Sequence, residues 1–194
     1  PTLNAVARLS CSEPSAERNA PVSWCVRSGT GSGSASSVRP EVMAATDFFT
    51  VEVWTLRGLV TYYVLIFMRL ETRSVHIAGV TTAPNSAFMQ KMARNLTDVD
   101  DGFLLNSWYL IMDRDTKYTD AFRGHLDREG VKLVRCLVRA PNCNAFAERF
   151  VRSIKDECLD RMILFGEASL RRALKEYDLH YHTDRIHQGV GNRL

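Results

Sequence analysis

The sequence predicts an α/β fold, a mixed sheet covered by helices on both faces. Three observations carry this. Between residues 41 and 82 run three β-branched and aromatic stretches broken only by short polar or glycine-containing turns. After them, apolar residues recur at helical spacing in stretches that alternate with two short strand-like runs. Finally, 194 residues at 45% apolar composition are enough for one core of ordinary domain size.

Taken in order, VMAATDFFTVEVW, LVTYYVLIFMRL and RSVHIAGVTT read as three consecutive antiparallel strands. Pro84 and Asn85 open a helix with Phe88, Met89, Met92 and Leu96 on one side. SWYLIMD is a short buried strand ending in Asp113. Thr119 is suited to cap a helix bearing Phe122 and Leu126 that stops at Gly130. VKLVRCLV is the next strand, and PNCNAFAERFVRSIKDE supplies a helix with Phe146, Phe150 and Ile154 inward. A last helix sets Leu170, Ala173, Leu174, Tyr177 and Tyr181 on one face. The order β-β-β-α-β-α-β-α-α calls for a sheet sandwiched by helices.

Residues 1–40 differ in texture. The stretch RSGTGSGSASSVRPE is rich in Gly and Ser and offers little apolar surface, so this segment is expected to be disordered or foreign to the domain at 41–194. No apolar run reaches the roughly 18 residues of a membrane span, and the N-terminus lacks a signal pattern. Five cysteines without a Cys-x-x-Cys pair point to free thiols in a reducing, cytoplasmic setting. The net charge of +3 does not by itself announce nucleic acid, so a case for DNA rests on where particular charges sit.

Asp47 and Asp113 stand out because both lie in apolar strands, where an ionised carboxylate without a partner is costly. Central strands would bring them together at one end of the sheet. Glu148 is the third acid. At about 100° per residue, Arg152 falls about 40° from it around the helix and Lys155 about 20°, so the three share a face. A plain Glu148–Arg152 salt bridge would account for that face. The chemical alternative is that three carboxylates, hard oxygen ligands, hold Mg²⁺ or Mn²⁺ while the cations hold a DNA backbone. Asp115 and Glu157 fit less well, the latter lying roughly 180° from Glu148 around the helix. His180, His182 and His187 are numerous enough for a metal site but are assigned no zinc. Cys136 and Cys143 read as small buried residues, and the strand aromatics as core.

ATDFF, LIMDRDTKYT and PNCNAFAERFVRSIKDE, with the 35-residue separation of Asp113 and Glu148, resemble the integrase-type catalytic core of DDE transposases. That ribonuclease-H-like group includes bacterial insertion-sequence transposases and retroviral integrases, and HYHTDRIHQGVGNRL is similar to its closing segment. The resemblance implies a five-stranded mixed sheet over residues 41–194. It implies a metal-binding catalytic triad of Asp47, Asp113 and Glu148 with two Mg²⁺ or Mn²⁺ ions, and DNA contacts from Arg152, Lys155 and Arg139. Asn144 matches a residue common just before the Glu, expected to shape the turn. The implied activity is DNA strand cleavage followed by strand transfer. Element ends and target DNA are the implied partners, and self-association is implied too, without a membrane or a small-molecule substrate. Rival readings are a nuclease of the same fold without strand transfer and an inactive DNA-binding remnant. Three departures stand out. Arg69 sits where relatives often carry Asp, residues 1–40 do not resemble the usual helix-turn-helix region, and the chain stops at Leu194 where relatives continue, as a truncated copy would.

Overall fold

The computed structural model describes residues 42–135 and 144–183, together with the backbone of three strand segments within the first forty residues. Those segments are β1 (Ala7–Cys11), β2 (Trp24–Arg27) and β3 (Ser36–Val38). The main body follows as β4 (Met43–Thr55), β5 (Gly58–Arg69), β6 (Val75–Thr81), α1 (Ser86–Leu96), β7 (Tyr109–Met112), α2 (Asp120–Arg128), β8 (Lys132–Arg135), α3 (Ala145–Glu157) and α4 (Gly166–Thr183), with a short 3₁₀ turn at Leu159–Arg161. Every helix and strand expected after residue 41 is present. The end of the expected strand at 131–138 lies partly outside the described residues.

The core sheet runs β8-β7-β4-β5-β6. β4, β5 and β6 form an antiparallel meander, whereas β7 and β8 add in parallel on the other side of β4. The pattern is a mixed five-stranded sheet with flanking helices. Beyond β8, the backbone of β1 pairs in parallel and β2 and β3 extend the sheet by antiparallel pairing. Residues 1–40 were expected to be disordered or foreign to the domain, and of them the structure describes only these three short strands.

The sheet buries a separate apolar cluster on each face. Met43, Ala45, Ile111 and Val134 point to the side covered by α3 and α4, where Phe150, Ile154, Leu170, Leu174, Tyr177 and Tyr181 meet them. Ala44, Leu65, Phe67, Leu110 and Met112 point to the other side, against Met89, Met92 and Leu96 of α1 and Phe122 and Leu126 of α2. This is the period of two along a strand meeting the 3.6 period of a helix. Each fully buried Phe or Leu contributes about 1.5–3 kcal/mol. Phe146 departs from its expected inward position. It is half-buried at the rim of the α3 cluster, with the Arg73 guanidinium carbon 3.3 Å from its ring centroid.

β4 spans 13 residues, yet only Met43–Ala45 pair with β7. Its far end is held differently. The Trp54 N–H donates to the Leu164 carbonyl at 2.9 Å, and Trp54 bridges Phe165 in parallel, so the segment between α3 and α4 secures the hairpin beside its turn. At the other end of the domain, His182 accepts a 3.0 Å hydrogen bond from the Val75 N–H, which ties α4 to β6. That is a structural use of a histidine; His187 lies outside the described residues.

Candidate active site

The register brings the first two acids together. Ala45 pairs with Ile111, the last such pair between β4 and β7, so Asp47 and Asp113 each lie two residues beyond it. Ala45 and Ile111 both face the α3 side, and a two-residue step keeps Asp47 and Asp113 on that face. Glu148 enters from α3 in its first turn, exposed, as are Arg152 and Arg149. Among the described residues no ion pair joins Glu148 to Arg152. Lys155 is half-buried, its ammonium 5.8 Å from the Phe49 ring centroid.

Asp47 carries the electrostatic signature of this convergence. Its carboxyl is pushed up to about 6, foremost by burial. The Phe48 N–H, donating to Oδ1 at 2.8 Å, counters that rise, and the charges of Asp113, Glu148 and Asp115 add to it. Asp113 is oriented through Oδ1, which accepts the Asp115 N–H at 3.0 Å. Asp115 is itself engaged: burial would raise its carboxyl, but hydrogen bonds and charge from Lys117 outweigh burial and hold it below the usual range. Glu157 accepts a 3.0 Å hydrogen bond from the Tyr177 hydroxyl. Both alternative acids therefore have other partners.

Two neighbours of the triad were not singled out from sequence. Thr46 is buried; its hydroxyl donates to the Ile66 carbonyl at 2.8 Å and lies 3.3 Å from the hydroxyl of buried Tyr118. The Thr46 carbonyl accepts from Asn144 Nδ2 at 3.0 Å. Asn144, only 6% exposed, makes no capping bond to its own helix, and its buried Oδ1 has no partner among the described residues. The expected turn-shaping residue thus clamps the start of the Glu148 helix to the residue preceding Asp47. A buried polar residue one position before a candidate acid is the signal that could have found Thr46; nothing local marks Tyr118. Arg69 donates to the Phe103 carbonyl at 2.9 Å and lies over the Phe103 ring, paired at the start of β4 away from the acids. Arg139 lies outside the described residues.

Residues 129–194 match the integrase core domain family. The chain's fold is that of an integrase catalytic core. Among solved structures, it is similar to the HTLV-2 integrase catalytic core domain in complex with magnesium. The dimeric form of that domain has TM-score 0.54 and 11% identity, over 77% of this chain and 92% of that one. The trimeric form has TM-score 0.55 and 11% identity, over 79% and 93%. A chain of the simian T-cell lymphotropic virus intasome in complex with PP2A regulatory subunit B56 gamma has TM-score 0.55 and 11% identity over 77% of this chain, and there the match spans 51% of the intasome chain. No curated protein matches in sequence.

The donor chemistry of the three acids suits a hard divalent cation, since all three candidate side chains offer carboxylate oxygen. Asp47 and Asp113 each commit one oxygen to a backbone N–H, which fixes their direction. Among the described residues, however, no three His, Cys, Asp or Glu side chains are drawn close enough to enclose an ion. The acids stand near enough to feel one another's charge, in a looser arrangement than a closed shell. No described helix is long and apolar enough to cross a membrane.

Proposed function

We propose that residues 41–194 form the catalytic core of a transposase or integrase that cleaves DNA strands and transfers their 3′ ends, with Asp47, Asp113 and Glu148 holding two Mg²⁺ or Mn²⁺ ions. The observation that supports it best is the convergence of Asp47 and Asp113 on the α3 face, with the Asp47 carboxyl raised to about 6 by burial and by its acidic neighbours. Clustered acids that disfavour their own ionisation are suited to a cationic ligand. When bound, the ions would supply Lewis-acid activation of a nucleophilic hydroxyl and stabilisation of the leaving oxygen.

The chain's own residues have separate tasks. Asp47 and Asp113, on adjacent strands, form the rigid side of the site. Asn144 holds α3 against β4 so that Glu148 closes the other side. Arg152 and Lys155 hold the DNA backbone along the exposed face of α3, and Arg139 joins them. Retroviral relatives solved as dimers and trimers support self-association on two DNA ends. The first forty residues lie outside the catalytic core in this reading, and the cytoplasm is the proposed compartment.

An assay with a labelled DNA end and Mg²⁺ or Mn²⁺ tests the reading. Strand cleavage and joining of the 3′ end to a second duplex are expected. Glu148→Gln should lose at least about 100-fold of both, as removal of a group that holds a catalytic ion does. Cleavage without joining would reassign the protein as a nuclease of this fold. Retention of full activity in Glu148→Gln would remove Glu148 from the site.

A further inference from the structure

Arg73 sits in the turn between β5 and β6 and is not accounted for by the triad. Its backbone is left-handed, φ 61°, a conformation that suits Gly or Asn and is strained for a long side chain. Its N–H still donates to the Arg69 carbonyl at 3.0 Å, so the turn is well formed. The guanidinium lies over the ring of Phe146 in the first turn of α3, its carbon 3.3 Å from the ring centroid. Its Nη1 is buried and has no hydrogen-bond partner, and no carboxylate ion-pairs with it among the described residues. Burial, foremost, and the nearby charge of Arg149 lower the guanidinium to about 10, the Tyr181 side chain acting in the opposite sense. A partly buried cation with an unused N–H and a second cation beside it is an unfavourable arrangement unless an anion completes it.

The position of this pair on α3 indicates which anion. Taking Glu148 as origin, Arg152 lies about 40° around the helix, Arg149 about 100° and Phe146 about 160°. Arg152, Arg149 and the Arg73 guanidinium stacked on Phe146 therefore form one basic arc leading away from the acidic residues around the first turns of α3. A planar fork of N–H groups suits a phosphate oxygen pair.

We propose that Arg73 and Arg149 form an oxyanion site that takes a backbone phosphate of the DNA lying along α3, a few nucleotides from the scissile one. The site rests on the DNA-processing reading above and extends its phosphate contacts beyond the exposed face of the helix.

The full chain binding a short fluorescent duplex, read by anisotropy over a salt series, tests it. Arg73→Gln and Arg149→Gln should each weaken binding, and each should lower the salt slope by up to about one unit. Arg73→Lys should keep most of the slope. Arg73→Gly, which the left-handed backbone accepts, should lower the slope as Arg73→Gln does while staying folded, which keeps the test decisive should the Gln variant unfold. In parallel, inorganic phosphate should raise the melting temperature of the wild type and not of Arg73→Gly. An unchanged DNA slope in Arg73→Gly, with Arg152→Ala lowering it, overturns the site while leaving the DNA reading intact. If phosphate nevertheless stabilises only the wild type in that case, Arg73 takes free phosphate and only the assignment of this site to a DNA phosphate is overturned. Failure of the wild type to bind DNA at all sinks the functional reading, and this site with it.

Discussion

The helices on the two faces of the sheet begin in different ways. On one face, α1 and α2 are capped locally: Asn85 Oδ1 accepts the Phe88 N–H at 3.0 Å and Thr119 Oγ1 the Phe122 N–H at 3.3 Å. On the other, Asn144 stands at the N-cap of α3 but leaves that helix without a side-chain cap and reaches across to the Thr46 carbonyl. The same residue type, Asn, stabilises its own helix in one case and fixes a distance between helix and strand in the other. The face that only holds the fold together uses local bonds. The face that carries the candidate acids gives up a local bond for a tertiary one, and accepts a raised carboxyl and an unpartnered amide oxygen beside it. Departures from the most stable arrangement gather where chemistry is proposed.

The largest test of this contrast is Asp47→Asn in metal-free buffer. The Asp47 carboxyl is raised in the folded state from 3.8 to about 6, so its contribution to stability is fully present below pH 3.8 and is lost as pH rises through 6. The mutant, which does not ionise, should match the wild type near pH 4 and exceed it at pH 7 by up to about 3 kcal/mol. Urea unfolding at pH 4, 5, 6 and 7.5 measures the gap. A constant gap would mean that the acid end of the sheet is no more strained than the α1 and α2 face.

Asn144→Ala comes next. It deprives a buried carbonyl of its partner and should cost about 2 kcal/mol. It should also lower strand cleavage, because Glu148 would no longer be held at a fixed distance from Asp47. Asn85→Ala and Thr119→Ala should each cost about 1 kcal/mol and leave cleavage at the wild-type rate. Equal losses of activity in all three would erase the distinction between local and tertiary caps. The smallest effect is expected from Tyr118→Phe, about 0.5 kcal/mol by thermal unfolding, since the Thr46 hydroxyl keeps its bond to the Ile66 carbonyl.

The contrast also separates what was legible in the sequence from what was not. Periodicity identified the buried faces of α2 and α4 residue by residue, and that of α1 except for half-buried Phe88 and the omitted Ala93, because each is set by apolar spacing within one element. Asp47 and Asp113 were conspicuous for a related reason, as acids in apolar strands. The reach of Asn144 to Thr46 spans 98 positions, and the stacking of Arg73 on Phe146 joins a turn to a distant helix. No local pattern encodes such pairs, since they exist only once the sheet has set the register. Phe146 was expected inward on helical spacing and instead stands half-buried at the rim beneath the Arg73 guanidinium.

β4 can be regarded as a beam resting on two supports. At one end Met43–Ala45 are braced by β7, and at the other Trp54 is pinned by the segment at Leu164–Phe165, with the candidate acid Asp47 standing just inside the first support. A load applied at the hairpin tip would pass into the connection between α3 and α4 before it reached the acid. The lever is therefore shortest for Asp47 and longest for Trp54. Deflection of the exposed tip is taken up there, while the acid near the inner bearing keeps its place.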